Sequence, residues 1–239
     1  MSNVVVVAMD GPSGSGKSST SRGVADRLGL RYLDTGAQFR AITFWMLRHG
    51  IDVHDPVAVA AVAGKPFLVS GTHPLDPTIE VDGEDVAEAI RSDEVTAAVS
   101  PVATVPEVRA RLLELQRSII TESLADGGIV VEGRDIGSVV WPAAQVKLYL
   151  TADAAARAAR RTAENGTGTV AATEADLLRR DAIDSGRATA PLVVPEGAVH
   201  LDTTPYALDE VIGQVVAIVE RAQEHVGDEA QEAVRQGFS

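Results

Sequence analysis

A phosphate-binding pattern near the amino terminus most constrains what this chain can fold into. Residues 4–9 are apolar and mostly β-branched, which predicts a buried strand of a parallel sheet. After Asp10 come residues 11–18, GPSGSGKS, which match G-x-x-x-x-G-K-[ST] at every fixed position. Glycines let successive backbone N–H groups point at phosphate oxygens, and the following helix adds the positive end of its dipole. The stretch therefore predicts a nucleoside triphosphate site rather than an ordinary glycine-rich turn.

The residues of this phosphate loop have expected roles toward the nucleotide. Lys17 can reach the β- and γ-phosphates, and the Ser18 hydroxyl is placed to bind Mg²⁺. We therefore expect ATP and Mg²⁺ as the ligands of the loop. The residues predicted to bind them are Gly11, Pro12, Ser13, Gly14, Ser15, Gly16, Lys17, Ser18 and Ser19.

Composition excludes several other classes of protein. The 239 residues carry a formal net charge of −13, which argues against a general binder of nucleic acid or of anionic membranes. The absence of cysteine excludes disulfides, thiolate nucleophiles and cysteine-ligated metals. Residues 1–3 lack the cationic start of a signal peptide, and the apolar run after them is too short to cross a bilayer. We expect a cytoplasmic protein with no nucleic-acid or membrane partner.

The order of apolar patterns along the chain predicts an α/β fold. Buried strands are predicted at residues 4–9, 30–33, 128–132, 146–150 and 199–202. Helices are predicted at residues 16–29, 41–49, 56–63, 101–126, from residue 151 onward, and at 174–185 and 208–223. Strands that alternate with helices form a parallel sheet with helices on both faces, here the P-loop NTPase type.

Three further segments complete the predicted organisation. Residues 64–95 contain short strand-like pieces separated by Gly, Pro and Asp, which indicate antiparallel hairpins and a small inserted domain. The kinase-like core would then comprise residues 1–63 and 96–224, and a lid at about residues 157–187 would include a polar, glycine-rich flap at 165–169. Residues 225–239 form a polar tail that we expect to be loosely held.

Charged residues follow several of the predicted strands. Thr35 and Arg40 lie in the turn after the second strand and could hold a second phosphate, although a capping Thr and a solvated Arg fit equally well. Arg134 and Asp135 follow the strand 128–132, at an edge where α/β sheets bind ligands. Three more arginines, at positions 157, 160 and 161, share one helix face near the flap.

This surplus of arginine indicates the reaction. No predicted strand ends in the Asp-x-x-Gly of switch GTPases, and the chain has no Asn-Lys-x-Asp. Phosphoryl transfer from ATP to another phosphate brings two polyanions together, and cationic groups must neutralise both. Two sets of arginines beside one phosphate loop therefore predict a kinase whose acceptor is itself a phosphate. Closure of the flap would exclude water and suppress hydrolysis of ATP.

Over residues 4–221 the sequence resembles the bacterial cytidylate kinases, which are P-loop nucleoside monophosphate kinases. The motifs that carry the resemblance are MDGPSGSGKSS at 9–19, LDTGAQFRA at 33–41, SPVATVPEVRARLLELQR at 100–117, EGRDIGSVVWP at 132–142 and RRDAIDSGRATAPL at 179–192. The inserted segment is similar to the enlarged monophosphate-binding (NMP-binding) domain of that family. The resemblance implies phosphorylation of CMP and dCMP to CDP and dCDP with ATP and Mg²⁺, in pyrimidine nucleotide metabolism.

The resemblance also implies roles for matching residues. The residues that would contact CMP are Thr35, Arg40, Ser100, Arg109, Arg134, Asp135, Arg180, Asp184 and Arg187. Among these, the resemblance assigns Arg40, Arg134 and Arg187 to the acceptor phosphate, Ser100, Arg109 and Asp135 to cytosine, and Arg180 and Asp184 to the sugar. The catalytic residues would be Lys17, Arg134, Arg157, Arg161 and Arg187. One departure is Phe39, which stands where the family usually has an aromatic hydroxyl.

Two alternatives stay open at this point. One is another P-loop kinase that acts on guanylate, adenylate or a small metabolite. The other is a nucleotide-binding regulatory protein that hydrolyses ATP slowly or not at all. The inserted hairpins weigh against the first, and the acceptor-side arginines weigh against the second. We expect a monomer.

Overall fold

A five-stranded parallel sheet forms the centre of the fold, and from one edge to the other its strands are Arg31–Asp34, Gly128–Glu132, Val5–Asp10, Val146–Thr151 and Val199–Asp202. The computed structural model describes residues 4–165, 169–187 and 189–236. The strands of the central sheet are β1 (Val5–Asp10), β2 (Arg31–Asp34), β6 (Gly128–Glu132), β7 (Val146–Thr151) and β8 (Val199–Asp202). A second, antiparallel sheet contains β3 (Leu68–Ser70), β4 (Ile79–Val81) and β5 (Glu84–Asp85). Both sheets confirm the predicted fold class.

Helices cover both faces of the central sheet. The helices are α1 (Lys17–Leu28), α2 (Thr35–Arg48), α3 (Pro56–Val62), α4 (Asp93–Val102), α5 (Pro106–Ser123), α6 (Ala154–Asn165), α7 (Val170–Gly186) and α8 (Leu208–Gln236). Along β1, Val5, Val7 and Met9 pack against α1 and α8, whereas Val6 and Ala8 pack on the opposite face with α5. This alternation follows from the two-residue period of a strand. Among the described residues, no helix is both long enough and apolar enough to cross a membrane.

The antiparallel sheet lies within the predicted insertion and has its own hydrophobic core. Leu68 pairs with Val81, and both are buried against apolar side chains of α2, α3 and α4. The boundaries of the NMP-binding domain stay a prediction, since this core extends well outside residues 64–95.

In the first half of the chain, the predicted start of one helix and the predicted continuity of another are wrong. α2 begins at Thr35 rather than at residue 41, because Asp34 is its N-cap and accepts the Ala37 N–H at 2.9 Å. The predicted helix 101–126 is two helices, α4 and α5. The break lies at Val105, which precedes a proline and has extended backbone angles of −76° and 122°.

The later part of the chain also departs from its predicted bounds. α7 begins at Val170 rather than 174, because the Thr169 hydroxyl accepts the Ala172 N–H at 3.2 Å. α8 continues to Gln236, beyond its predicted end at residue 223. Residues 166–168 of the predicted flap and residues 237–239 of the tail lie outside the described residues. Flap closure and a loosely held tail stay predictions.

A backbone contact at the start of β6 generates the first testable prediction. Gly128 has a φ of 120°, and a Cβ there would lie 1.9 Å from the Val5 carbonyl oxygen. We expect Gly128→Ala to lower the free energy of unfolding by about 3 kcal/mol or more, since both backbones must move. Urea denaturation measures the change.

The matched control is Gly127→Ala. Gly127 also has a positive φ, 95°, but nothing lies within 4 Å of its added Cβ. Only the left-handed conformation is penalised there, at about 1–2 kcal/mol. Equal losses in the two variants would contradict the importance of the close approach between β1 and β6.

Candidate active site

Two adjoining cavities open at the carboxyl edge of the parallel sheet, where α/β folds bind ligands. The first cavity is lined by the phosphate loop and by Arg161, among others. The second is lined by all the residues expected to contact CMP, namely Thr35, Arg40, Ser100, Arg109, Arg134, Asp135, Arg180, Asp184 and Arg187. Arg40, Arg134 and Arg180 line both cavities. The place where the cavities meet is therefore strongly cationic.

The phosphate loop holds a buried lysine. The Lys17 Nζ donates to the Pro12 carbonyl at 2.7 Å, so the ammonium group lies under the loop in this structure. Burial, together with the nearby Arg134 guanidinium, lowers the pKa of Lys17 to about 7. Bound phosphate oxygens would raise the pKa of Lys17 again, because they supply the negative charge that a buried ammonium requires.

Next to the loop, a buried carboxylate faces the hydroxyl that is predicted to bind Mg²⁺. Glu132 ends β6, and its Oε2 accepts from Ser18 Oγ at 3.0 Å while its Oε1 accepts from the Tyr32 hydroxyl. Burial, together with the nearby Asp34 carboxylate, raises the pKa of Glu132 to about 7. A hydroxyl and a carboxylate side by side are oxygen donors of the kind that suits Mg²⁺.

The second cavity contains a buried ion pair. Arg109 donates to Asp135 Oδ2, and its other terminal nitrogen donates to the Ala103 carbonyl at 3.2 Å. The Arg109 guanidinium also lies over the Phe39 ring, 5.4 Å from its centroid. Ser100 is buried beside them. Burial raises the pKa of Asp135, although the charge of Arg109 opposes that rise.

Arg134 connects the two cavities. Its Nε donates to Asp184 Oδ2 at 3.0 Å, and its NH1 donates to the Gly11 carbonyl at 3.1 Å. Asp184 Oδ1 lies 3.7 Å from Arg187 NH1. One carboxylate therefore positions two of the predicted acceptor-phosphate arginines.

Several buried guanidinium nitrogens have no hydrogen-bond partner among the residues that the structure describes. They are Arg157 Nε, Arg180 Nε, and Arg187 Nε and NH2. Burial lowers the pKa of Arg180 to about 10, and it lowers the pKa of Arg187 as well. Buried donors without acceptors are costly, and an anion in the second cavity, which Arg180 and Arg187 line, would supply the acceptors that their nitrogens lack.

Thr35 is buried and Arg40 is half-buried, and both line the second cavity. The Thr35 hydroxyl does not cap α2, because it donates to the Glu132 carbonyl at 2.7 Å. Arg40 is not freely solvated, since its NH1 donates to Thr96 Oγ1 at 2.9 Å and to the Ile90 carbonyl at 3.2 Å. The Arg40 contacts join α2 to the segment that contains Ile90 and Thr96.

Arg157, Arg160 and Arg161 of α6 have different surroundings. Arg157 donates to the Ser13 carbonyl at 2.8 Å and to Asp181, so it joins α6 to the phosphate loop and to α7. Arg160 donates to the hydroxyl and carbonyl of Thr203, which follows β8. Arg161 lines the first cavity. The three arginines that the sequence places on one helix face therefore contact three different parts of the structure.

Three acidic residues of this region were not predicted as site residues. Glu132 and Asp10 each end a buried strand, and that position was a usable signal. Asp181 is different, because its Oδ1 accepts the Ser13 N–H at 3.0 Å from across the site. It lies in a helix rich in charged residues, and nothing in the sequence distinguishes it from its neighbours.

Comparison with known sequences identifies the family to which the chain is similar. The family model described as "Cytidylate kinase" matches residues 7–221. A cytidylate kinase of Streptomyces avermitilis is 59% identical over 216 residues, which cover 90% of this chain and 93% of that protein. A cytidylate kinase of Streptomyces coelicolor is 60% identical over 216 residues, with the same coverage of 90% and 93%.

Comparison with solved structures supports the fold. A gluconokinase from Sinorhizobium meliloti superimposes with a TM-score of 0.50 at 14% identity, and the match covers 96% of this chain and 99% of that one. At this identity the likeness concerns the arrangement of strands and helices only.

The unpaired nitrogens of Arg187 lead to a second prediction. In the absence of nucleotide, Arg187→Met should change the free energy of unfolding by less than about 1 kcal/mol, or raise it, because the substitution removes a buried, incompletely paired charge. Urea denaturation without ligand tests this.

Arg117→Met serves as the control for loss of a satisfied arginine. Arg117 Nε and NH2 donate to the Val140 and Val139 carbonyls, each at 3.0 Å. That variant should lose about 1 kcal/mol or more. A larger loss for Arg187→Met than for Arg117→Met would mean that Arg187 is primarily a structural residue.

Proposed function

Because the chain belongs to the cytidylate kinase family, we propose that its first cavity holds ATP and that its second cavity holds CMP or dCMP. The enzyme transfers the γ-phosphoryl group of ATP to the acceptor phosphate, which yields CDP or dCDP. Such a reaction belongs to pyrimidine nucleotide metabolism. The observation that carries the assignment is the set of buried, unpaired guanidinium nitrogens on Arg180, which lines both cavities, and on Arg187, which lines the second cavity.

On the donor side, the phosphate loop would bind the β- and γ-phosphates. Lys17 is the cation in reach of the transferred group, and a fixed donor of this kind stabilises charge that develops in the transition state. The Ser18 hydroxyl and the Glu132 carboxylate would hold Mg²⁺ together with phosphate oxygens. The ion would supply neutralisation of the phosphate charge.

On the acceptor side, the arginines would hold the phosphate of CMP. Arg134 is fixed by Asp184 and by the Gly11 carbonyl, so its guanidinium lies between the two substrates. Arg40 and Arg187 approach the same place from α2 and from the end of α7. No general base is required, because the acceptor phosphate is already an anion. These side chains orient the acceptor and neutralise repulsion between the substrates.

The base would be read by the buried group around Asp135. A carboxylate only accepts hydrogen bonds, so Asp135 suits the amino group of cytosine and opposes the carbonyl oxygen of uracil. Arg109 already occupies Oδ2, and Oδ1 is the oxygen that we assign to the cytosine amino group. Ser100 and Arg109 supply donors for the ring nitrogen and the carbonyl oxygen. A buried site with such partners penalises an analogue that lacks them.

The lid would complete the donor site. Arg157 is bound to Asp181, and Asp181 accepts the Ser13 N–H of the phosphate loop. Arg161 lies at the first cavity from the same helix. Closure of α6 and α7 over ATP would bring these arginines onto the phosphates and exclude water. We further propose that the enzyme is monomeric and cytoplasmic, and that it has no nucleic-acid or membrane partner.

A coupled assay of ADP release tests the function. ADP should form only when an acceptor is present, with CMP and dCMP as the best acceptors among CMP, dCMP, UMP, AMP and GMP. ADP release that does not depend on any nucleoside monophosphate would indicate a nucleotide-hydrolysing regulatory protein. A preference for AMP or GMP would indicate a different nucleotide kinase.

Replacement of Lys17 should separate turnover from acceptor binding. Lys17→Ala is expected to lower kcat several hundredfold, since one transition-state donor contributes about 3–4 kcal/mol. The Kd of CMP from isothermal titration should stay within about threefold, because Lys17 lies on the donor side. Lys147→Ala is the control, since Lys147 Nζ donates only to the exposed Glu196 carbonyl at 3.3 Å. A collapse of CMP affinity in Lys17→Ala would contradict this placement of the two substrates.

Replacement of Asp135 should change the choice of base. Asp135→Ala is expected to lower kcat/KM for CMP strongly and for UMP little, so that their ratio falls about ten- to a hundredfold. Asp135→Asn keeps the size of the side chain, and its amide can donate to uracil. The ratio of kcat/KM for CMP over UMP should therefore fall at least as much in Asp135→Asn as in Asp135→Ala. Side-by-side steady-state assays measure both. If CMP and UMP lose activity by the same factor in both variants, Asp135 only holds Arg109.

A further inference from the structure

One buried carboxylate at the site has no role in the reaction described so far. Asp10 ends β1, and its side chain is fully buried, with 0% exposure. Its Oδ1 accepts the Ile136 N–H at 2.7 Å, and its Oδ2 accepts the Gly137 N–H at 2.8 Å. Both oxygens of Asp10 are therefore committed to the turn that follows Asp135.

That turn is the start of a short π-helix, Ile136–Val140, with Asp135 at its N-cap. An aspartate at this position ordinarily caps the helix with its own carboxylate. The Asp135 side chain makes no such bond, and it faces Arg109 and the acceptor cavity instead. Asp10 supplies the missing cap from the neighbouring strand, and this arrangement leaves the carboxylate of Asp135 available to a ligand.

Two more bonds join the end of β1 to the same turn. The Gly133 N–H donates to the Met9 carbonyl at 3.1 Å, and Arg134 NH1 donates to the Gly11 carbonyl at 3.1 Å. Residues 9–11 thus contact residues 133, 134, 136 and 137 in succession. The segment that begins the phosphate loop also fixes the segment that carries Arg134 and Asp135.

A charged group is an expensive means of holding a turn in a protein core. Burial raises the pKa of Asp10 to about 6, although the two backbone N–H groups oppose that rise. The two N–H groups of the turn need two acceptor oxygens side by side, and an ionised carboxylate provides both. Asp10 therefore fixes the position of the turn at a cost in burial of charge that stability of the fold alone does not explain.

We propose that Asp10 is a positioning residue for recognition of the acceptor base, since it caps the helix that follows Asp135 and thereby holds the Asp135 carboxylate toward the base. The proposal rests on the function proposed above, in which Asp135 reads cytosine. Asp10 itself touches neither substrate in this scheme. Its effect should therefore pass through Asp135 and appear as a change in specificity.

The variant Asp10→Asn tests the proposal. The amide keeps the shape of the side chain, but its NH2 faces one of the two backbone N–H groups, so one cap bond is lost. We expect the KM for CMP to rise about tenfold and the ratio of kcat/KM for CMP over UMP to fall about five- to tenfold. The kcat at saturating CMP should change less than about threefold, and the Kd of ATP less than about twofold.

Asp55→Asn is the matched control for loss of a carboxylate cap. Asp55 is exposed, and it caps α3 by accepting the Val57 and Ala58 N–H groups. It lines neither cavity. That variant should leave both KM values and their ratio unchanged. Thermal melts accompany all variants, and Asp10→Ser, which fits the same space and retains one acceptor, replaces Asp10→Asn if the latter does not fold.

A double-mutant cycle shows whether Asp10 acts through Asp135. In the Asp135→Ala background, Asp10→Asn should cause no further fall in the CMP/UMP ratio, because the positioned group is already absent. A further fall by the same factor would overturn the proposal, and so would equal losses for CMP, UMP and ATP binding. A wild-type enzyme that does not prefer CMP would instead overturn the proposed function itself. A wild-type preference that Asp10→Asn leaves intact would overturn only the role of Asp10.

Discussion

The parallel pairing of β1 with β6 is the interaction on which the rest of the site depends. Met9 lies opposite Glu132, so the residues that follow each strand emerge side by side at the same edge of the sheet. The phosphate loop follows one strand, and Arg134 and Asp135 follow the other. Gly128 permits this pairing, because a Cβ at that position would lie 1.9 Å from the Val5 carbonyl oxygen.

The site concentrates positive charge in a protein that is acidic as a whole. The net charge is −13, yet the cavities are lined by arginines that are largely removed from water. Asp135 pairs with Arg109, and Asp184 pairs with Arg134 and Arg187, so these pairs offset part of the cost of burial. The unpaired nitrogens of Arg180 and Arg187 belong to side chains that line the cavities. An arrangement that is unfavourable without ligand is what strong binding of two polyanions requires.

Local chemistry explains which elements could be predicted and which could not. The strand before the phosphate loop and the helix after it were predicted because a strong local motif lies between them. The predicted start of α2 is wrong, because apolar periodicity does not reveal the bond that the Ala37 N–H donates to the Asp34 cap. The break between α4 and α5 depends on a single proline at residue 106 within an otherwise helical pattern. The bounds of helices are set by such single bonds, which periodicity does not resolve.

For the site, the sequence by itself determined the phosphate loop, the order of strands and helices, and the residue types that could contact two phosphates. These depend on short-range patterns, since a glycine-rich loop, a strand and a helix are each specified within a few residues. Only the tertiary structure decided that Arg109 pairs with Asp135, that Asp181 reaches Ser13, and that Asp10 caps the turn after Asp135. Those contacts join residues 26, 168 and 126 positions apart. Asp10 meets the turn after Asp135 because the carboxyl ends of the parallel strands β1 and β6 lie at one edge of the sheet, whereas α5 and α7 bring Arg109 and Asp181 to that edge from distant parts of the chain.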